Sequence, residues 1–339
     1  MEVGLKETES STRLPYLDYA RVFAAYFVIL GHLVSTNDTT IRPYIYAFHM
    51  PFFFLVSGML HKNRGCIAWK KYFKTLIVPF FFFNLLLFFL WPLCWKIGVW
   101  KGSQSLAFDP NINIFNVYFN YLLISVKRIL IGKGGPDGPT WFLLALFWCK
   151  LSIDILNCKR LVPHAGIFLF LGVIGIAFYP KTYLQIGNAL MVIPFFYCGF
   201  RYKRLIQKWC EKGSLFLGIC LLLIVIPLTL INGKVSVFMI SYGHCIFPLN
   251  VLIFYVNAFL SSLGLLRICM IFQQNKYITI SAKALISILC IHAIFIYSSR
   301  THCNSDSLLF CIVCSFIIIT AYVLCHLFIE RHMPIIIGK

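Results

Sequence analysis

The sequence predicts an all-α, polytopic membrane helical bundle of about ten transmembrane helices with both termini cytoplasmic, and three observations predict it. Of the 339 residues, 60% are hydrophobic and 12% are charged, about half the charged share of an ordinary soluble domain. Mean hydropathy is +0.83. Long apolar runs alternate with short polar loops, and the basic residues collect in every second loop.

Apolar length and punctuation place the spans near 16–35, 43–61, 75–98, 140–158, 163–180, 185–201, 214–232, 240–262, 278–298 and 307–328. The stretch 112–131 is hydrophobic but broken by Asn113, Asn116, Asn120, Lys127 and Arg128, and it ends in a Gly/Pro turn around Gly135 and Pro136. It is expected to lie outside as an interfacial or half-inserted helix. If it spans, the count becomes eleven and the C-terminus changes sides. Charge placement favours ten. The basic clusters at the loops and span ends that would then be cytoplasmic hold 20 of the 30 Lys and Arg, among them Lys62, Lys70, Lys71 and Lys74 after the second span and Arg201, Lys203, Arg204, Lys208 and Lys212 around the end of the sixth. The formal charge of +19 is therefore read as topogenic. It is scattered through short loops and forms no basic domain, so no nucleic-acid partner is expected.

Glu2, Glu7 and Glu9 do not suit the basic start of a signal peptide, and no small-residue cleavage pattern follows the first apolar run. That run is expected to be a permanent helix, behind a short cytoplasmic tail over 1–14. With no internal repeat and no loop long enough to hold another domain, 1–339 reads as one transmembrane domain. Cys311 and Cys314 form a C-x-x-C within an apolar run without His or acidic neighbours, which reads as packing. Neither a disulfide framework nor a metal site is expected.

Ionisable groups inside membrane helices are costly and need a reason. The first span holds Asp18, Arg21 and His32. Eleven positions at about 100° each come to roughly three turns, so Arg21 and His32 share a helix face about 16 Å apart along the axis. Asp18 lies three residues before Arg21 on the same stripe, where the two can pair. The second span carries Phe48-His49-Met50-Pro51-Phe52-Phe53-Phe54-Leu55-Val56-Ser57-Gly58. His49 enters from the opposite end to a depth like that of His32. Pro51 interrupts the backbone ladder beside it, and Ser57-Gly58 allows close helix approach.

These residues resemble the acyltransferase 3 family of integral-membrane acyltransferases. The shared marks are Arg21-(ten residues)-His32 and the F-H-M-P-F-F-F-x-x-S-G run, with Leu76-Ile77-Val78-Pro79-Phe80 after a basic loop. Trp141-Phe142-Leu143 opening a helix, Ile280 through His292, and Ile329-Glu330-Arg331-His332-Met333-Pro334 are further marks. Ala282 and Ala284 stand where glycine and serine are commoner in the family. The nearest branch is fucose acetylase-like and exopolysaccharide O-acetyltransferase-like. The resemblance implies that an acyl group, usually acetyl, moves from cytoplasmic acetyl-CoA or another acyl-CoA to a hydroxyl of a cell-surface sugar, polysaccharide or lipid-linked saccharide. The enzyme would be a multi-pass protein of the cell (inner or plasma) membrane and would need no metal.

Within that implied reaction His32 is the candidate base for the sugar hydroxyl. Arg21 is the candidate for the CoA phosphates, with Asp18 positioning it. The offset between them is of the order of a pantetheine arm. His49 is expected either to assist His32 or only to satisfy the backbone at the Pro51 kink. Lys70 and Lys71 are candidates for CoA phosphate, against topogenic charge or lipid headgroup contact. Ser57, Trp141 and His292 are candidates for substrate contact, against helix packing, an aromatic-belt anchor and a plain interfacial histidine. His244, His302, His326 and His332 read as loop or interface residues. Two other classes fit the same residues: a transporter or flippase for a lipid-linked sugar or small anion, whose path Arg21 and His32 would line, and a membrane scaffold in which the histidines only pack.

Overall fold

The structure, a computed structural model, describes residues 14–34, 38–63, 65–96, 114–130, 138–178, 182–233, 245–302 and 307–337. Most of the expected 1–14 tail, with Lys6 and Arg13, falls outside these residues, as do Arg64, the Gly135-Pro136 turn, His244, Cys303 and Lys339.

Helices follow one another from end to end. They are α1 (Pro15–Leu33), α2 (Ile41–Met59), α3 (Trp69–Tyr72), α4 (Val78–Lys96), α5 (Ile114–Leu130), α6 (Trp141–Cys158), α7 (Ala165–Phe178), α8 (Ile186–Arg201), α9 (Lys203–Lys212), α10 (Leu215–Asn232), α11 (Leu249–Cys269), α12 (Lys276–Lys283), α13 (Leu285–His302) and α14 (Leu308–His332). No strand occurs among the described residues.

Local chemistry sets several boundaries. Pro15 opens α1, where its missing N–H costs nothing. Asp38 caps α2 from just outside, its Oδ1 accepting the N–H groups of Thr40 at 3.0 Å and Arg42 at 2.8 Å. A wide π-helical turn over Phe73–Ile77 joins α3 to α4. It sits directly before Pro79, which has no N–H to continue the regular ladder.

The helices divide into an inner pair and an outer wall. α1 packs against α2, α11, α12, α13 and α14, while α2 packs against α1, α8, α10 and α11. Most of the second helix is buried, including its run from Ala47 to Val56. The wall faces outward with apolar side chains, such as Phe216 and Leu223 on α10 and Leu309, Phe316 and Leu324 on α14. So much exposed apolar surface marks a protein solvated by lipid.

Five stretches are long and apolar enough to cross a membrane among the described residues: Trp69–Leu90, Gly138–Cys158, Leu215–Asn232, Leu249–Cys269 and Leu308–His332. α1 and α2 are not among them, because the polar residues they carry lower their hydropathy. α7 and α8 are short, at 14 and 16 residues.

Three expected spans differ in detail. The eighth, expected over 240–262, is a helix over Leu249–Cys269 with Pro248 at its N-cap, while residues 240–244 lie outside the described residues. The ninth is divided at Ala284 into α12 and α13. The third begins earlier, at Trp69. The basic segment after the sixth span is itself a helix, α9. The doubtful stretch 112–131 contains α5, which leaves Phe115, Phe119, Leu122 and Val126 exposed along one stripe.

Candidate functional site

Three histidines meet where α1, α2 and α13 converge. The His32 ring lies 5.3 Å from that of His292, centroid to centroid, and 5.6 Å from that of Tyr46. Tyr46 stands 5.1 Å from His49 on its other side. The Tyr46 hydroxyl and His32 Nδ1 are hydrogen-bonded at 2.9 Å. Close approach here needs Gly31, since a Cβ at that position would lie 2.9 Å from the Ile45 side chain and 3.1 Å from the Tyr46 ring. Arg42 sits over the Tyr46 ring, 5.1 Å from its centre.

Backbone hydrogen bonds orient two of the rings. His49 Nδ1–H donates to the Ile45 carbonyl at 2.7 Å, and His292 Nδ1–H donates to the Ile288 carbonyl at 3.2 Å. In a neutral ring each arrangement makes Nε2 the lone-pair nitrogen. His292 Nε2 is buried without a hydrogen-bond partner among the described residues. α14 fixes the register of α13: the Tyr322 hydroxyl donates to the Ile291 carbonyl at 2.8 Å, and His326 Nδ1 bonds Ser287 at 2.9 Å. His326 is thus buried between helices, 2% exposed, and is not the loop or interface residue expected. An imidazole in an apolar bundle needs such a partner.

A cavity of about 400 Å³ lies at the other end of α1, lined by Arg21, Lys62, Lys71 and Lys150 together with His61 and Ser57. No Asp or Glu lines it among the described residues. Arg21 pairs with the buried Asp18 of its own helix. The cavity and the histidines share the same helix faces. Arg21 and His32 lie on one stripe of α1, as expected. Phe53 and Ser57 of the cavity lie four and eight residues beyond His49 on α2. Leu285 and Leu289 of the cavity precede His292 on α13 at helical spacing. Leu289 is about 4.5 Å from His292 along its axis, and Phe53 about 6 Å from His49.

The other candidates fall in different places. Lys70 is exposed, does not line the cavity and lies 5.9 Å from the Trp69 ring centre. Trp141 is buried at the start of α6, 6.3 Å from Phe54 between ring centres, rather than at the bundle surface. No group of three His, Cys, Asp or Glu among the described residues could hold a metal.

Tyr46, His61, Lys150 and Asp154 carry no motif that marks them. Asp154 did offer one signal, an acid inside a predicted span, the same reasoning that singles out Arg21.

A lipid-solvated helical bundle with buried histidines above a basic cavity defines a multi-pass membrane protein with an internal polar site. Residues 14–326 match the family model described as an acyltransferase domain, and the chain belongs to the acyltransferase 3 family. It is a membrane acyltransferase. No curated protein and no solved structure matches it.

Proposed function

We propose that this acyltransferase takes an acyl group, acetyl in the first instance, from cytoplasmic acyl-CoA and passes it to a hydroxyl of a cell-surface sugar or lipid-linked saccharide. The observation that carries this reading is the shared helix faces. They run from a cationic cavity, fit for the phosphates of CoA, to a histidine cluster fit for proton transfer. His32 accepts the proton of the sugar hydroxyl as its oxygen attacks the thioester carbonyl carbon. The C–O bond forms, the C–S bond breaks, and the departing thiolate recovers the proton. His49 and His292 flank that position, where the Nε2 lone pair of a neutral ring can accept a hydrogen bond and assist.

The topology that goes with this is ten spans, both termini cytoplasmic, in the cell membrane. It is supported by basic residues gathered at one end of the bundle: the Arg21 end of α1, the cavity lysines and the α9 helix with Lys203, Arg204, Lys208 and Lys212. The resemblance of its motifs to the fucose acetylase-like branch is the ground for proposing polysaccharide or its precursor as acceptor.

The test is carbon-14 acetyl-CoA with purified protein in lipid nanodiscs and a glycolipid extract as acceptor. Released thiol and labelled glycolipid are the readouts. Label transfer establishes the reading. No thiol release together with no CoA binding would sink it.

Arg21→Ala is expected to raise KM for acetyl-CoA by roughly ten- to a hundredfold, the loss of a charge-assisted phosphate contact. Arg21→Lys keeps the charge without the planar fork and is expected to fall between. An unchanged KM in Arg21→Ala would remove Arg21 from the donor site.

A further inference from the structure

Asp154 of α6 is 1% exposed, and an acid so deep in an apolar bundle must be satisfied by its neighbours. Three donors from distant parts of the chain do this. His61 Nε2–H donates to Oδ1 at 2.9 Å, and Oδ2 accepts the Ala68 N–H at 3.0 Å and the Tyr72 hydroxyl at 2.7 Å. The His61 side chain is 3% exposed, and its ring packs 5.4 Å from Phe196 and 5.5 Å from Phe200.

This node ties the end of α2, the entry to α3 and α3 itself to α6. Each tied segment delivers a cation to the same cavity. Lys62 follows His61, Lys71 precedes Tyr72, and Lys150 lies one turn before Asp154 with Nζ 5.5 Å from the Tyr72 ring centre. Like charges gathered on one rim repel, and they face a common point only if the backbone beneath them is held. Asp154 makes no contact with the cavity itself but holds two residues that line it, His61 and Tyr72.

We propose that Asp154 is the positioning residue of a phosphate-binding rim. It holds Lys62, Lys71 and Lys150 against the phosphorylated nucleotide end of the acyl carrier. This rests on the acyl-CoA reading above. The rim adds affinity for a multiply charged anion; the thioester end is handled elsewhere, beside the histidines. Removing Asp154 therefore damages recognition of the carrier more than the chemistry.

Two donors separate these effects. Acetyl-CoA carries the phosphates, and S-acetylpantetheine has none. In Asp154→Asn, the preference for acetyl-CoA over S-acetylpantetheine, as the ratio of kcat/KM values, is expected to fall about tenfold or more. Tyr72→Phe, which deletes one hydrogen bond, shifts the ratio the same way by a few-fold and serves if Asp154→Asn fails to fold. His61→Gln keeps a donor toward Oδ1 and is expected to retain most of the preference. Equal losses for both donors, or no loss for either, overturn the proposal. Calorimetric binding of adenosine 3′,5′-bisphosphate tests the rim without turnover. The wild type binds it and Asp154→Asn binds it about tenfold more weakly. Binding without acyl transfer would overturn the acyltransfer reading and leave the rim standing. No binding to the wild type, or equal binding to both, overturns the rim.

Discussion

Replacing His32 by alanine is expected to lower kcat for acyl transfer by at least about a hundredfold, and by as much as about ten-thousandfold, the range for losing a positioned general base. KM for acetyl-CoA should stay within about twofold, because Arg21, in the cavity proposed for the phosphates, lies about 16 Å away along α1. The split follows from geometry. The His32 ring touches Tyr46 and His292 but does not line the basic cavity. Truncation also removes the hydrogen bond between His32 and the half-buried Tyr46 hydroxyl, at a cost of about 1 kcal/mol in stability. His32→Gln, which keeps a hydrogen-bonding group, therefore belongs beside His32→Ala, and size-exclusion chromatography should show both folded. A His32→Ala protein that folds and keeps more than about a tenth of the wild-type rate would remove His32 as the base, since losing a true base costs far more.

How far the sequence alone reaches is clearest from pairs of residues. Arg21 and His32, or Asp18 and Arg21, sit on one helix, so the α-helical repeat alone predicts their common face. The facing of His49 toward the same site follows nearly as well, because α2 returns antiparallel beside α1 after a short loop. The contact of His32 with His292 does not follow, since 260 positions separate them and only the packing of α13 on α1 brings them together. The same holds for Asp154, whose partners lie 82 to 93 positions away. Lys62, Lys71 and Lys150 illustrate a second limit. A lysine just outside a span, such as Lys62 or Lys71, satisfies the rule for topogenic charge whether or not it also faces a cavity, and Lys150, in the middle of α6, carries no sign of which way it faces. The start of α11 and the break at Ala284 show a third. Hydropathy averages over a window, whereas helix ends are decided by single residues such as Pro248.

Gly58→Val is expected to abolish the folded protein, and Gly199→Val to do the same. The two glycines lie at one crossing of α2 and α8 and protect each other reciprocally: a Cβ on Gly58 would collide with the carbonyl oxygen of Phe196, and one on Gly199 with that of Leu55. Both obstacles are backbone, so no rotamer change relieves them, and the helices must move apart. Their separation would open the packing around Phe196, Leu55 and Met59, all of which belong to the main core. Overpacking a well-filled core costs roughly 1–3 kcal/mol when side chains can yield, and more is expected here because they cannot. Even Gly58→Ala should lower the thermal midpoint in detergent by several degrees or more. Gly138→Ala is the control: its Cβ would meet nothing within 4 Å. The double substitution Gly58→Ala with Gly199→Ala is the sharper measurement. Once one methyl has pushed the helices apart, the second enters space already opened, so the paired loss should be well short of the two single losses combined. Full additivity would mean that the two collisions are relieved independently and that α2 and α8 do not move as rigid bodies.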